Sequence, residues 1–178
     1  YINPTLTHIF KETCNICIMK SSLMNINLKF QTMDHVVCLD AGAKELENLI
    51  NGNKSMIIRG SDERDLPYRS VNEGDILYFM CCIGYGEVKA RGIVSSVYNS
   101  ERLSVEASFE AIIRNQDKLQ LPDAQFERMA GKKYLVLIGI EEIEVIEPIR
   151  IDIARFTSQD DWLQVGNINA LSKPHLEP

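Results

Sequence analysis

The run from Met33 to Arg59 narrows the fold most, because a strand pattern, a helix pattern and a second strand pattern follow one another with almost no linker. MDHVVCLD (33–40) carries a continuous apolar stretch from Val36 to Leu39, as a strand covered on both faces requires. AGAKELENLINGNK then places Leu46, Leu49 and Ile50 at helical spacing, with Asp40 as the expected N-cap and Gly52 where a helix-ending glycine belongs. The second strand, 55–59, buries Met56, Ile57 and Ile58 and has a cation at either end, Lys54 and Arg59. Folding asks for no cation at each end of such a strand, so the pair raises the question of an anionic ligand.

The stretch GSDERDLPYRSVNEGD (60–75) is dense in Gly, Asp, Ser and Pro and reads as a long loop of the kind that often carries function. DILYFMCCIG follows as a central strand, with Gly84 and Gly86 marking a turn. GEVKARGIVSSVYN alternates at its start, Val88 and Ala90 inward and Lys89 and Arg91 outward. A helical region spans about 103–130, with Pro122 suited to the first turn of a second helix and Gly131 to its end. KKYLVLIGIEEIEVIEP closes the pattern as a strand. Short strands with glycines at their corners, one early helix and a helical insertion predict an α+β fold, a small mixed β-barrel. The domain spans 33–170, behind an irregular leader (1–32) and ahead of a flexible tail (171–178).

Composition sets the limits on function. With 178 residues, 45% hydrophobic and 25% charged, the chain can bury one ordinary globular core. No apolar run approaches the roughly 18 residues that cross a bilayer, and the opening stretch lacks a secretory pattern, so a cytoplasmic protein with no membrane partner is expected. The net charge is −6; Lys11, Lys20 and Lys29 against Glu12 leave residues 1–33 at +2 and the remainder at −8. An acidic body disfavours coating of a long duplex and allows a local basic pocket for a single nucleotide or a short single strand. The five cysteines are Cys14, Cys17, Cys38, Cys81 and Cys82. Cys14 and Cys17 form one CxxC, but no second pair follows and His8, His35 and His175 lack ligand spacing, so no metal and no cofactor is expected and the thiols read as reduced.

Three local signatures resemble the ASCH domains of the PUA-like superfamily. They are a helix ending in G-x-K before a strand ending in Arg (Gly52, Lys54, Arg59), a Gly-Asp turn opening the central strand (Gly74-Asp75), and a strand with a glycine after basic residues (VKARGIV). The resemblance covers roughly 33–98, with the strand at 133–147 fitting the same barrel. It implies a PUA-like barrel with a helix after the first strand, a helical insertion before the closing strand, and a cleft near the helix-to-strand junction that binds RNA or a modified nucleotide. Ile57 stands where the ASCH pattern places Glu, which removes an obvious general acid or base and leaves catalysis open.

The candidate ligand-binding residues are Lys54, Ser55, Arg59, Arg64, Tyr68 and Arg69. Lys54 would meet a phosphate or polarise a base carbonyl, or else compensate the carbonyls at the helix end. The planar fork of Arg59 suits phosphate or a guanine edge, against a surface ion pair with Asp62 or Glu63. Tyr68 between Arg64 and Arg69 can stack on a base while the cations hold the backbone, or can close the loop against the barrel. Trp162 reads as packing over one barrel end, with base stacking as the alternative. Two further readings stand beside the binding module. One is a small hydrolase of a nucleoside amide, pairing Lys54 and Ser55 with Glu73, Asp75 or Glu87. The other is an interaction domain that uses the 103–130 helices, with a homodimer as its simplest form.

Overall fold

The computed structural model describes residues 32–81, 86–151 and 161–171. The chain divides into two units, Tyr1–Gln31 and Thr32–Pro178. The first unit lies outside the described residues, and so do Cys14, Cys17 and the tail beyond Leu171.

Among the described residues, six strands form one mixed sheet in the order β2-β5-β4-β3-β1-β6. In chain order these are β1 (Asp34–Leu39), α1 (Glu45–Ile50), β2 (Met56–Ser61), β3 (Ile76–Cys81) and β4 (Glu87–Asn99). Then come α2 (Val105–Ile113), α3 (Gln116–Leu119), α4 (Asp123–Met129), β5 (Tyr134–Arg150), β6 (Trp162–Gln164) and a 3-10 turn, Ile168–Ala170. β1 runs parallel to β3 and antiparallel to β6, while β2, β5, β4 and β3 pair antiparallel in turn. The fold is the expected α+β barrel, with its helix after the first strand and its helical insertion before the long closing strand.

Curvature comes from the β4–β5 ladder. Its register shifts between Val88 and Ala90, between Arg91 and Ile93, and between Val94 and Ser96; each extra residue bends the pair and increases its twist. As the sequence pattern requires, Val88 and Ala90 are buried and Lys89 and Arg91 exposed. The barrel interior is filled by Val37, Ile57, Leu77, Phe79, Val136 and Ile138. A second cluster on Val36, Tyr78 and Val88 covers the opposite face against Ile168 and Leu171. β2 is apolar on both sides: Ile57 enters the barrel, whereas Met56 and Ile58 pack under the helical insertion on Ile112, Leu119 and Leu121.

The junction between α1 and β2 differs from its sequence reading. The helix has six residues, because residues 41–44 form a turn. The Asp40 carboxylate accepts from the Ala43 amide inside that turn and caps no helix. Leu46 and Leu49 are buried, but Ile50 is 40% exposed. Gly52 ends the helix at φ 73°, donating to the Leu49 carbonyl, as a glycine in the left-handed region does. Cys81 is a free thiol and Cys38 is disulfide-bonded, which departs from the expectation of reduced cysteines throughout. No helix among the described residues is long and apolar enough to cross a membrane.

Candidate functional site

The site is built around a lysine buried away from solvent. Lys54 is 1% exposed, and its ammonium donates to Glu45 Oε1 at 2.6 Å. Glu45 opens α1, and its other oxygen accepts from the Asp40 amide at 3.0 Å. The Lys54 amide in turn bonds the Asn48 carbonyl, so the chain reverses from helix to strand around the ion pair. Burial opposes both charges. It holds Lys54 below its ordinary pKa even though Glu45 draws the proton the other way. On Glu45 burial is outweighed by Lys54 and Arg59 together, and the carboxyl sits below its usual range. Lys54 therefore compensates no helix end and faces no solvent.

Arg59 occupies the seam of the barrel. β2 and β6 are the two edges of the sheet, and curling brings them together at this side chain. Its Nη1 donates to the carbonyl of Ile58 and its Nη2 to that of Cys38 on β1, each at 2.8 Å. Nε lies 2.6 Å from Asp161 Oδ2, just ahead of β6. The contact is an ion pair, and the buried Nε meets the Asp161 carboxylate without the alignment of a hydrogen bond. The guanidinium carbon stands 5.8 Å from the centre of the Trp162 ring. Asp161, not Asp62 or Glu63, is the counter-ion.

Two cavities meet at Arg59. The larger, about 540 Å³, is walled by Arg59, Tyr68, Tyr134 and Trp162, with Glu63, Asp65 and Asp161 among its acids. The smaller, about 360 Å³, lies on the α4 side and shares Arg59, Met129 and Asp161 with the first. Among the predicted residues, Arg59 and Tyr68 line the larger cavity, whereas Lys54, Ser55, Arg64 and Arg69 line neither. Ser55 is exposed at the entry to β2. Tyr68 is buried, donates to the Ser100 carbonyl at 2.9 Å and meets Tyr134 edge-on. Arg64 lies 5.6 Å and 5.3 Å from the Tyr68 and Tyr134 rings, and Arg69 lies 5.3 Å from Tyr68. Both arginines are more than half exposed, and both face Glu101.

Trp162 is 3% exposed and is fixed by a buried relay. Its indole N–H donates to His35 Nδ1 at 3.2 Å. An indole nitrogen only donates, so Nδ1 is the bare nitrogen, and Nε2 carries the proton facing Asp75 at 3.2 Å. Asp75 is held by the amides of Met33 and Asn72. Burial lowers the His35 pKa more than Asp75 and Asp34 raise it. Of the carboxylates offered to Lys54 by the sequence, Asp75 serves this relay and Glu87 faces Arg150. Sequence reasoning missed Glu45, although the signal was present: Glu45 shares a helix face with the buried Leu49 four residues on.

Two outcomes follow. Lys54→Ala leaves Glu45 buried without its partner and should cost about 3–5 kcal/mol in urea denaturation; the paired change Lys54→Met with Glu45→Leu should recover most of it. For His35, the folded state prefers the neutral ring, so the unfolded chain binds more protons below the ordinary value. Stability should therefore be full above about pH 6.5, decline as pH falls through that value, and level off below the lowered folded pKa. An NMR titration placing the His35 midpoint at or above about 6.5 would contradict this.

No family model and no curated protein matches this sequence. Solved structures do. An ASCH protein from Zymomonas mobilis is similar at 14% identity and a TM-score of 0.55, over 74% of this chain and 87% of that one. Two single-residue variants of that protein, one Ser to Ala and one Tyr to Phe, are similar at the same identity and TM-score, over 87% and 89% of their chains. The topology read from the short signatures at Gly52–Arg59 and Gly74–Asp75 is thus met in three dimensions: the chain has the ASCH-domain fold, a PUA-like barrel.

Proposed function

We propose that the chain is a binding module for RNA or a nucleotide and that the larger cavity receives a nucleobase. The observation that carries this is the meeting of Trp162, Tyr68 and Tyr134 with the guanidinium of Arg59 around one cavity of about 540 Å³. That volume falls within the roughly 300–1,000 Å³ range of small-ligand sites, and aromatic faces beside an arginine fork are the means by which unpaired bases are held.

The electrostatics refine the expected basic cleft. Arg59 is already ion-paired with Asp161, and the wall adds Glu63 and Asp65. A phosphate inside would meet more carboxylates than cations, so the grip on the base comes from stacking and edge contacts. Glu63, Asp65 and Asp161 accept from base N–H groups, and Arg59 donates to a base carbonyl. Phosphates of a strand fall at the rim, where Arg64 and Arg69 stand over Tyr68. Lys54 acts at one remove, by fixing Glu45 and the start of β2. The hydrolase alternative has the lowered pKa of Lys54 in its favour, but neither Lys54 nor Ser55 lines either of the two cavities at Arg59. The interaction-domain alternative rests on Val105, Phe109 and Ile113, an exposed apolar stripe along α2.

Trp162 is the sole tryptophan, so its emission reports on the cavity directly. Titration with nucleosides, nucleoside monophosphates and short single-stranded RNA should quench it saturably. Tyr68→Ala and Arg59→Lys should each weaken binding by roughly 1–3 kcal/mol, the scale of one stacking or charge-assisted contact. The salt dependence should be shallow, since few phosphates are neutralised. An emission unmoved by all three ligand classes would move the function away from this cavity.

A further inference from the structure

We propose that the smaller cavity is a separate subsite for an uncharged hydrogen-bond donor, a primary amide being the simplest, which it offers to the side-chain oxygen of Gln125. This cavity opposes every charge on its wall with another. Asp40 receives Arg128 at 2.7 Å, Glu45 receives Lys54 at 2.6 Å, and Asp161 faces Arg59 at 2.6 Å. A cation entering would have to displace one of these partners, and an anion would meet three carboxylates, so charge selects against both.

The unmet atom is of another kind. Gln125 lies on α4, is 6% exposed and lines the cavity, and its Oε1 is buried with no hydrogen-bond partner. Buried polar atoms are satisfied in the great majority of cases. The last torsion of a glutamine is soft, so a ligand offering an N–H can draw this oxygen toward itself. Arg59 Nε on the same wall is taken by the Asp161 carboxylate at 2.6 Å, which leaves the Gln125 oxygen as the unmet atom. A primary amide supplies that N–H without bringing a charge to the balanced wall. A carboxylate has no donor for the Gln125 oxygen, and an ammonium has one but brings a charge that the paired wall does not call for.

The test is an NMR titration of the full chain with acetamide, acetate and methylammonium, followed at the Gln125 side-chain amide and the Arg128 Nε–H. Acetamide should shift both resonances saturably, and the two ions should not. Gln125→Leu removes the oxygen; the Arg128 response to acetamide should then weaken by about tenfold, the scale of a lost hydrogen bond. Its melting temperature should hold or rise, because an unsatisfied buried oxygen has gone. Gln125→Glu adds one negative charge to a balanced wall and should turn the preference from acetamide to methylammonium. Acetate shifting these resonances as strongly as acetamide would overturn the assignment. The same holds for an acetamide response that survives Gln125→Leu, or for no response at all. Gln125 lines the smaller cavity and not the larger, so these outcomes are independent of whether a base quenches Trp162.

Discussion

A lysine buried at the turn from α1 into β2 is the constraint on which the rest of this structure depends. An ammonium removed from water costs several kcal/mol even after relaxation, and it is tolerated only where a counter-charge and further hydrogen bonds meet it. Here Glu45 is that counter-charge, and the Asp40 amide fixes the second carboxylate oxygen. The pair joins the first residue of the helix to the residue two positions ahead of the strand. Helix, turn and strand are therefore positioned together, and the direction of β2 follows from the pair.

That direction delivers Arg59 to the seam. An open sheet has two edges with unpaired backbone groups, and a barrel must close or cover them. Arg59 covers the gap with three contacts at once: the Ile58 carbonyl on its own strand, the Cys38 carbonyl on β1, and the Asp161 carboxylate ahead of β6. The fork geometry of a guanidinium suits this, and an ammonium could not span it. Because a side chain fills the seam in place of a strand pair, a cavity lies on each side of it. The group that closes the barrel is thus the group that borders both cavities.

The strand and helix order was legible in the sequence because periodicity reports burial directly: β1 and β3 as continuous apolar runs, β4 as an alternation, Gly52 as a helix stop. The roles of the cations were less legible. The partner of Lys54, Glu45, stands nine residues back across the length of the helix, a pairing that apolar periodicity does not report. The partner of Arg59, Asp161, is a hundred residues away and adjoins a three-residue strand too short for a pattern. Ile57 stands where the ASCH pattern has a carboxylate, yet a carboxylate reaches the neighbouring lysine from the helix instead. Local sequence can show that a charge is unusual; only the folded chain shows which opposite charge it meets.

Arg59 closes the barrel and borders the cavity proposed to receive a base, and its Nε–H is the atom that can report both. In the free protein this proton is buried and lacks an aligned acceptor. The most direct measurement is its NMR resonance during titration with a nucleoside. A saturable shift that tracks the quenching of Trp162, with the Cys38 and Ile58 carbonyl contacts kept, is the predicted result. A nucleoside that quenches Trp162 while leaving the Arg59 Nε–H unmoved would contradict it.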